Sequence, residues 1–225
     1  MKKTENKCDL HFLHVGKTGG TAIKSALSDY LVLSRYSLLL HSHETSIKDI
    51  PENSKFMFFL RDPISRFVSG FYSRKRKGQP RYFYDWRPDE KEAFELFQTP
   101  NDLANALAGG ALQDAALKAM RSITHLRKYK HWYVTLDYFE SRLADVFYIG
   151  FQETMDSDFP KLKVLLELPD SLQLPNDDVG AHRNPQNLDK SLSPKAVAAL
   201  TDWYAEDYVF FSRCKDLKTS NNGRG

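Results

Sequence analysis

Two kinds of apolar pattern alternate along the first third of the chain. Leu10-His11-Phe12-Leu13-His14-Val15 and Lys55-Phe56-Met57-Phe58-Phe59-Leu60 are short continuous apolar runs, which predict strands covered on both faces, as in a parallel sheet. After each run the period changes. Ile23, Ala26, Leu27, Tyr30 and Leu31 recur at helical spacing, and so do Ile64, Phe67, Val68 and Phe71. In the second helix Asp62 is the expected cap and Pro63 the first helical residue, which leaves Ser65, Arg66, Ser69 and Ser73 on the other side. Leu38-Leu39-Leu40 fits a further strand. Pro88-Asp89-Glu90 opens a helix through Ala93, Phe94 and Phe97, and Pro100-Asn101-Asp102 restarts the chain before Leu103, Leu107, Leu112 and Leu117, with a break at Gly109-Gly110. Asp158-Phe159-Pro160 precedes a helix carrying Leu162, Leu165 and Leu166; Ser193 and Pro194 start a last one with Val197, Leu200, Tyr204 and Phe211 on one face. Strand–helix alternation of this kind predicts an α/β fold of three layers, α/β/α, around a central parallel sheet.

The junction between the first strand and its helix carries the chemistry. Gly16-Lys17-Thr18-Gly19-Gly20-Thr21 is a glycine-rich loop opening a helix, and such a loop cradles an anion with backbone N–H groups and the helix dipole. It is not a Walker A motif: the position five residues before the Gly16-Lys17 pair is His11, and the extra glycines follow the lysine. A second anion site is suggested where Arg61 ends a strand and Ser69 lies two turns into the next helix. A guanidinium fork with a hydroxyl suits a phosphate monoester.

Taken together, Lys17-Thr18-Gly19-Gly20-Thr21 and Arg61-Asp62-Pro63-Ile64-Ser65-Arg66-Phe67-Val68-Ser69 resemble the two motifs of sulfotransferases that use 3′-phosphoadenosine 5′-phosphosulfate (PAPS), in the family's order. The resemblance is nearest the branch containing carbohydrate 2-O- and 6-O-sulfotransferases, and Phe147 to Glu153 looks like a later core strand of that branch. It implies a P-loop-like sulfotransferase fold, PAPS as co-substrate and no metal. Gly16, Lys17, Thr18, Gly19, Gly20 and Thr21 would hold the 5′-phosphosulfate, and Arg61 and Ser69 the 3′-phosphate. It also implies a base between the motifs, for which His41 and His43 are available; His43 is preferred and Glu44 is an alternative. Lys17 is the expected catalytic cation on the leaving phosphate. In related enzymes a loop near Ala181-His182-Arg183-Asn184-Pro185 closes over the cofactor, which makes Arg183 and Asn184 possible contacts.

Composition adds limits. The 225 residues suit one domain: a PAPS-binding core over 8–75, a helical insertion over about 76–140 forming the acceptor cleft, a C-terminal core strand and helices over 141–217, and a tail over 218–225. A net charge of +3 is too small to argue for nucleic acid. With two cysteines, Cys8 and Cys214, reduced thiols are expected, and the absence of a signal-peptide core or apolar span predicts a cytoplasmic enzyme. Arg74, Lys75, Arg76, Lys77 and Arg81, followed by Tyr82, Phe83, Tyr84 and Trp86, form a basic and aromatic run that can grip a glycan acceptor; Arg121 to Lys130, with His125 and His131, reads as a solvated helix face. Two other functions stay open at this point: an ATP- and magnesium-dependent phosphotransferase, and a non-enzymatic module binding a nucleotide or an anionic glycan.

Overall fold

The computed structural model describes residues 7–177, 185 and 187–222. In chain order the elements are β1 (Cys8–Leu13), α1 (Gly20–Leu27), β2 (Tyr36–Leu40), β3 (Lys55–Leu60), α2 (Pro63–Lys75), α3 (Pro88–Leu96), α4 (Pro100–Leu107) and α5 (Gln113–Ser122). There follow α6 (Lys130–Tyr133), α7 (Leu136–Ser141), β4 (Val146–Phe151), α8 (Met155–Leu165), α9 (Pro194–Trp203) and α10 (Ala205–Asn222). The strands form a parallel sheet in the order β2-β1-β3-β4, and the fold is the expected three-layer α/β/α class.

By contact the chain groups into two compact units. The first comprises Met1–Arg61, Tyr129–Ala181 and Asp216–Gly225, and contains the whole sheet. Leu10 and Phe12 of β1 and Met57 and Phe59 of β3 pack with Ile23 and Leu27 of α1 and with Phe159 and Leu162 of α8. The alternate residues of β3 face the other way, where Phe58 meets Phe139 of α7 edge-on and the Arg142 guanidinium lies over Phe56. Both faces are therefore covered, which is why these strands read as unbroken apolar runs. The second unit, Asp62–Lys128 and His182–Lys215, carries α2 to α5, α9 and the first part of α10 among its described residues. Phe67 and Phe71 of α2 share a core with Phe94, Leu103, Ala116, Met120 and Leu200, so α2 groups with the helices that follow it.

Several expected elements differ in extent. α1 stops at Leu27, where Ser28 bonds back to the Ser25 carbonyl; the chain then bridges Val32 to Ser37 beside β2, and Leu31 is exposed rather than part of a buried stripe. Helix α8 begins before Pro160 and contains it, and Leu165 is exposed while Phe159, Leu162 and Leu166 are buried. The break at Gly109-Gly110 is present, both residues having positive φ, but α5 buries Ala116, Ala119 and Met120 and exposes Leu112. The single last helix is two, divided at Tyr204, whose hydroxyl donates to the Leu126 carbonyl; α10 continues to Asn222, into the expected tail over 218–225. Cys8 is exposed and Cys214 buried, both as thiols. Among the described residues no helix is long and apolar enough to cross a membrane.

Candidate functional site

The glycine-rich loop leaves β1 through His14 and Val15 and reverses the chain by two left-handed residues, Lys17 at φ 66° and Gly19 at φ 86°. Glycine adopts that conformation without cost, whereas a lysine does so only where the surroundings hold it. One such restraint is visible: the Thr18 hydroxyl, buried, donates to the Val15 carbonyl at 2.9 Å. Thr18 therefore uses its side chain to close the loop, and only its backbone is left to meet a ligand. Helix α1 then starts at Gly20 with no side-chain cap and no acidic residue in its first turn. Ala22 and Ile23 donate to the Gly19 carbonyl, Thr21 is half-buried, and the positive end of the helix dipole meets no protein carboxylate in that turn.

Gly20 has a separate reason to be glycine. A Cβ there would stand 2.4 Å from His14 Cδ2, because the buried His14 ring lies against the helix start. That ring is in turn 3.8 Å, centre to centre, from the ring of His43. His43 Nδ1 lies 3.1 Å from the His14 carbonyl oxygen. A carbonyl only accepts, so Nδ1 carries the proton and the neutral ring holds its lone pair on Nε2. His43 keeps an exposed edge but is closely surrounded by protein atoms. This desolvation pushes its pKa below the ordinary histidine value; the bond to His14 opposes the shift, Lys17 and Lys24 add to it, and Glu44 works against it.

His41 is held differently. Its Nε2 is 2.8 Å from Nδ1 of His11, with the two rings parallel at 5.0 Å. One nitrogen of such a contact must donate and the other accept, so each ring occupies one nitrogen of its neighbour. Both pKa values are lowered, first by burial; for His41 the neighbouring His11 and Lys24 contribute as well. Lys24 of α1, which the sequence reading passed over, donates to the His41 carbonyl at 2.8 Å, and burial lowers its own pKa. Glu44 is exposed and lies 3.7 Å from His131.

Arg61 follows β3, and its backbone is bracketed by the Tyr129 hydroxyl, which accepts from the Arg61 N–H at 3.0 Å and donates to the Arg61 carbonyl. In the helical unit Asp62 caps α2 as expected: its carboxylate accepts from the Ser65 N–H at 2.8 Å and from the Tyr208 hydroxyl at 3.0 Å. Ser69 is half-buried two turns in. Arg66 and Ser73 do not lie on a solvated face. Both are buried, and Arg66 pairs with the buried Asp207 at 3.5 Å and donates to the Arg127 carbonyl.

The basic run that begins at the end of α2 departs from the expectation of a cationic grip. Arg74 is buried against Glu90 at 2.5 Å and also donates to the Tyr84 and Asp85 carbonyls; Lys75 is bonded to Gln98, Arg76 to the Gln79 carbonyl, and Lys77 to Asp85 at 2.7 Å. These cations hold their own loop together, which is what charged side chains do when burial must be compensated. The stretch from Arg121 to Lys130 is not one helix, since α5 ends at Ser122 and α6 starts at Lys130; Arg121 and Lys130 are exposed, while Leu126 and Tyr129 are buried, as is Trp132 just beyond. Trp132 donates its indole N–H to the His43 carbonyl at 2.9 Å and lies 3.6 Å from where a Cβ on Gly16 would stand. His14, Lys24, Tyr129 and Trp132 are thus neighbours of the expected site that sequence reasoning missed. The spacing of Tyr129 and Trp132, one helical turn apart within a basic segment, was the signal available. Arg183 and Asn184 lie outside the described residues. Among the described residues no group of three or more His, Cys, Asp and Glu side chains is arranged to hold a metal ion.

A parallel strand, a left-handed glycine loop and a helix start with no side-chain cap follow one another in this α/β protein. The sulfotransferase family profile matches residues 3–212, and the chain belongs to that family. No curated protein and no solved structure matches the chain.

Proposed function

We propose that this sulfotransferase uses PAPS as donor and transfers the sulfuryl group to an acceptor hydroxyl, a carbohydrate hydroxyl by its resemblance to the 2-O and 6-O branch, with His43 as general base. The observation that carries this reading is the bond from His43 Nδ1 to the His14 carbonyl, which leaves the lone pair on Nε2 in a ring packed beside the anion loop. A histidine so held is neutral near pH 7 and ready to accept a proton.

The residues present fit the nucleotide. Gly19 and Gly20 let the loop turn close against Met155 and His14, the first turn of α1 carries no acid, and Lys17 supplies a compact cation beside it. In this reading the loop amides, from Gly16 to Thr21, and the Lys17 ammonium bind the 5′-phosphosulfate end, while Arg61 and Ser69 bind the 3′-phosphate. PAPS, when bound, supplies an activated sulfuryl group on a phosphate leaving group. His43 Nε2 takes the proton from the acceptor hydroxyl as that oxygen becomes the nucleophile. Lys17 balances the negative charge that grows on the leaving phosphate, in a site where fixed donors need no reorganisation. His41, bonded through Nε2 to His11, orients the segment that carries His43 and takes no proton from the acceptor.

The test combines binding and turnover. 3′,5′-ADP at a hundred times its dissociation constant stabilises the fold by about 2.7 kcal/mol, which raises the melting temperature without added metal. Labelled PAPS then transfers label to a member of a panel of glycans, phenols and peptides. Protection by ATP with magnesium and not by 3′,5′-ADP would replace this reading with a phosphotransferase; protection without transfer to any acceptor would leave a binding module.

A further inference from the structure

Three loops follow the C-terminal ends of β1, β2 and β3 in the sheet-bearing unit, carrying Gly16 to Gly19, His43 and Arg61. One short stretch of the same unit touches all three. Tyr129 takes both backbone groups of Arg61 on its hydroxyl; Trp132 covers Gly16 with its ring and bonds the His43 carbonyl with its indole N–H; His131 stands beside Glu44, next to His43. Tyr129 and Trp132 are 1 % and 5 % exposed, so both polar atoms are satisfied inside the protein by these backbone contacts. The stretch ends in a conformation that a β-branched residue rarely adopts, Val134 at φ 73°, ψ −77°. Helix α6 is a single four-residue turn, too short to be stable by itself, so its position depends on what it packs against.

We propose that Tyr129 and Trp132 are positioning residues for sulfuryl transfer: Trp132 fixes the His43 segment against the anion loop, and Tyr129 fixes the backbone of Arg61. The role rests on the sulfotransferase reading for what is positioned, while the contacts themselves do not. It assigns the two side chains different consequences. Trp132 sets the approach of the base to the loop and so governs the chemical step. Tyr129 sets the donor expected at the 3′-phosphate and so governs nucleotide affinity. A residue that only filled the core would lower stability and leave both quantities alone.

The experiment uses the full chain with Trp132→Phe and Tyr129→Phe, each of which keeps an aromatic ring and removes the hydrogen bond. Thermal melts establish that both variants are folded. Misplacing a reacting group by an ångström costs on the order of 10²-fold, so Trp132→Phe is expected to lower kcat by about 10- to 100-fold while the dissociation constant for 3′,5′-ADP stays within about threefold. Tyr129→Phe is expected to show the opposite split, with weaker 3′,5′-ADP binding by about tenfold and kcat at saturating PAPS within about threefold, as one lost polar contact implies. Equal retention of kcat and affinity in both folded variants overturns the proposal, as does a parallel loss of both quantities in each. Should the wild type bind no 3′,5′-ADP and transfer nothing, the sulfotransferase reading fails separately. Positioning is then decided by NMR titration of the His43 ring, whose pKa must rise toward the ordinary histidine value in Trp132→Phe as packing around it loosens; an unchanged titration refutes it.

Discussion

Two pairs of histidines stand at the C-terminal ends of the neighbouring strands β1 and β2, and they do opposite things with their nitrogens. His11 on β1 and His41 after β2 stack in parallel and bond to each other, Nδ1 to Nε2 at 2.8 Å. His14, three residues further along, and His43 meet at a tilt of 36°, and the bond is made to the His14 backbone instead of its ring. The first arrangement engages Nε2 of His41 with a neighbouring ring. The second fixes the tautomer of His43 through Nδ1 and directs the lone pair to Nε2. Two histidines separated by one residue thus differ in chemical capacity because of what accepts or donates at a single atom.

The largest effect expected from this difference is on turnover. On the proposed mechanism His43→Ala removes the general base and is expected to lower kcat by about 10² to 10⁴ while 3′,5′-ADP still protects the fold. His41→Ala is expected to cost less than about tenfold, since it disturbs only the segment that carries the base. Reversal of that order in PAPS turnover assays would mean that the His11–His41 contact opens to give His41 the catalytic proton.

A smaller effect sharpens the role of His14. Alanine is ordinarily the better helix residue by about 1 kcal/mol, so Gly20→Ala at the start of α1 would stabilise the protein on propensity alone. Here the new Cβ would stand 2.4 Å from the His14 ring. Crowding of that kind costs about 1–3 kcal/mol, so the variant is expected to melt lower and, as His14 shifts against His43, to turn over more slowly. A higher melting temperature with full activity would show that the His14 ring moves aside freely and does not support the base.

Much of this arrangement was legible because it is local. The strands β1 and β3, the loop between β1 and α1, and the Asp62 cap with Pro63 at the first helical position all follow from residues within a few positions of one another. The contacts that distinguish His43 from His41 are not local. Trp132 reaches His43 across 89 residues and Tyr129 reaches Arg61 across 68, and no periodicity encodes either partner. Charge misled for the same reason. The run of Arg and Lys that begins at the end of α2 has the composition of an anion grip, yet Glu90 lies where it neutralises Arg74, and Arg66, on the polar side of its helix, is buried against Asp207 of α10. Pattern shows which residues can leave water, but not which charged ones find a buried partner. The left-handed turn at Lys17 was hidden for a further reason: the neighbouring glycines advertise positive φ, and a lysine does not.

The smallest effect is pH dependence, and its sign follows from burial. His11, His41 and His43 all have pKa values below the ordinary 6.5, in each case first because burial penalises the charged ring. The unfolded chain therefore binds these protons more readily than the native one. Their contribution to stability is complete above pH 6.5 and is lost as pH falls through the lower native values. Urea midpoints measured at intervals from pH 7.5 to pH 5 should fall on the acid side, and His41→Gln should flatten that fall by removing one of the two coupled rings while leaving its backbone contacts. With His43 as the proposed base, the same depression is expected to place the acid limb of kcat/KM, which reports the free enzyme, below pH 6.5. His41→Gln should move that limb little, because burial, the His14 carbonyl and the charges of Lys17, Lys24 and Glu44 act on the His43 ring, and His41 does not. A limb that follows His41 instead would merge the two pairs into one proton network and remove the distinction between them.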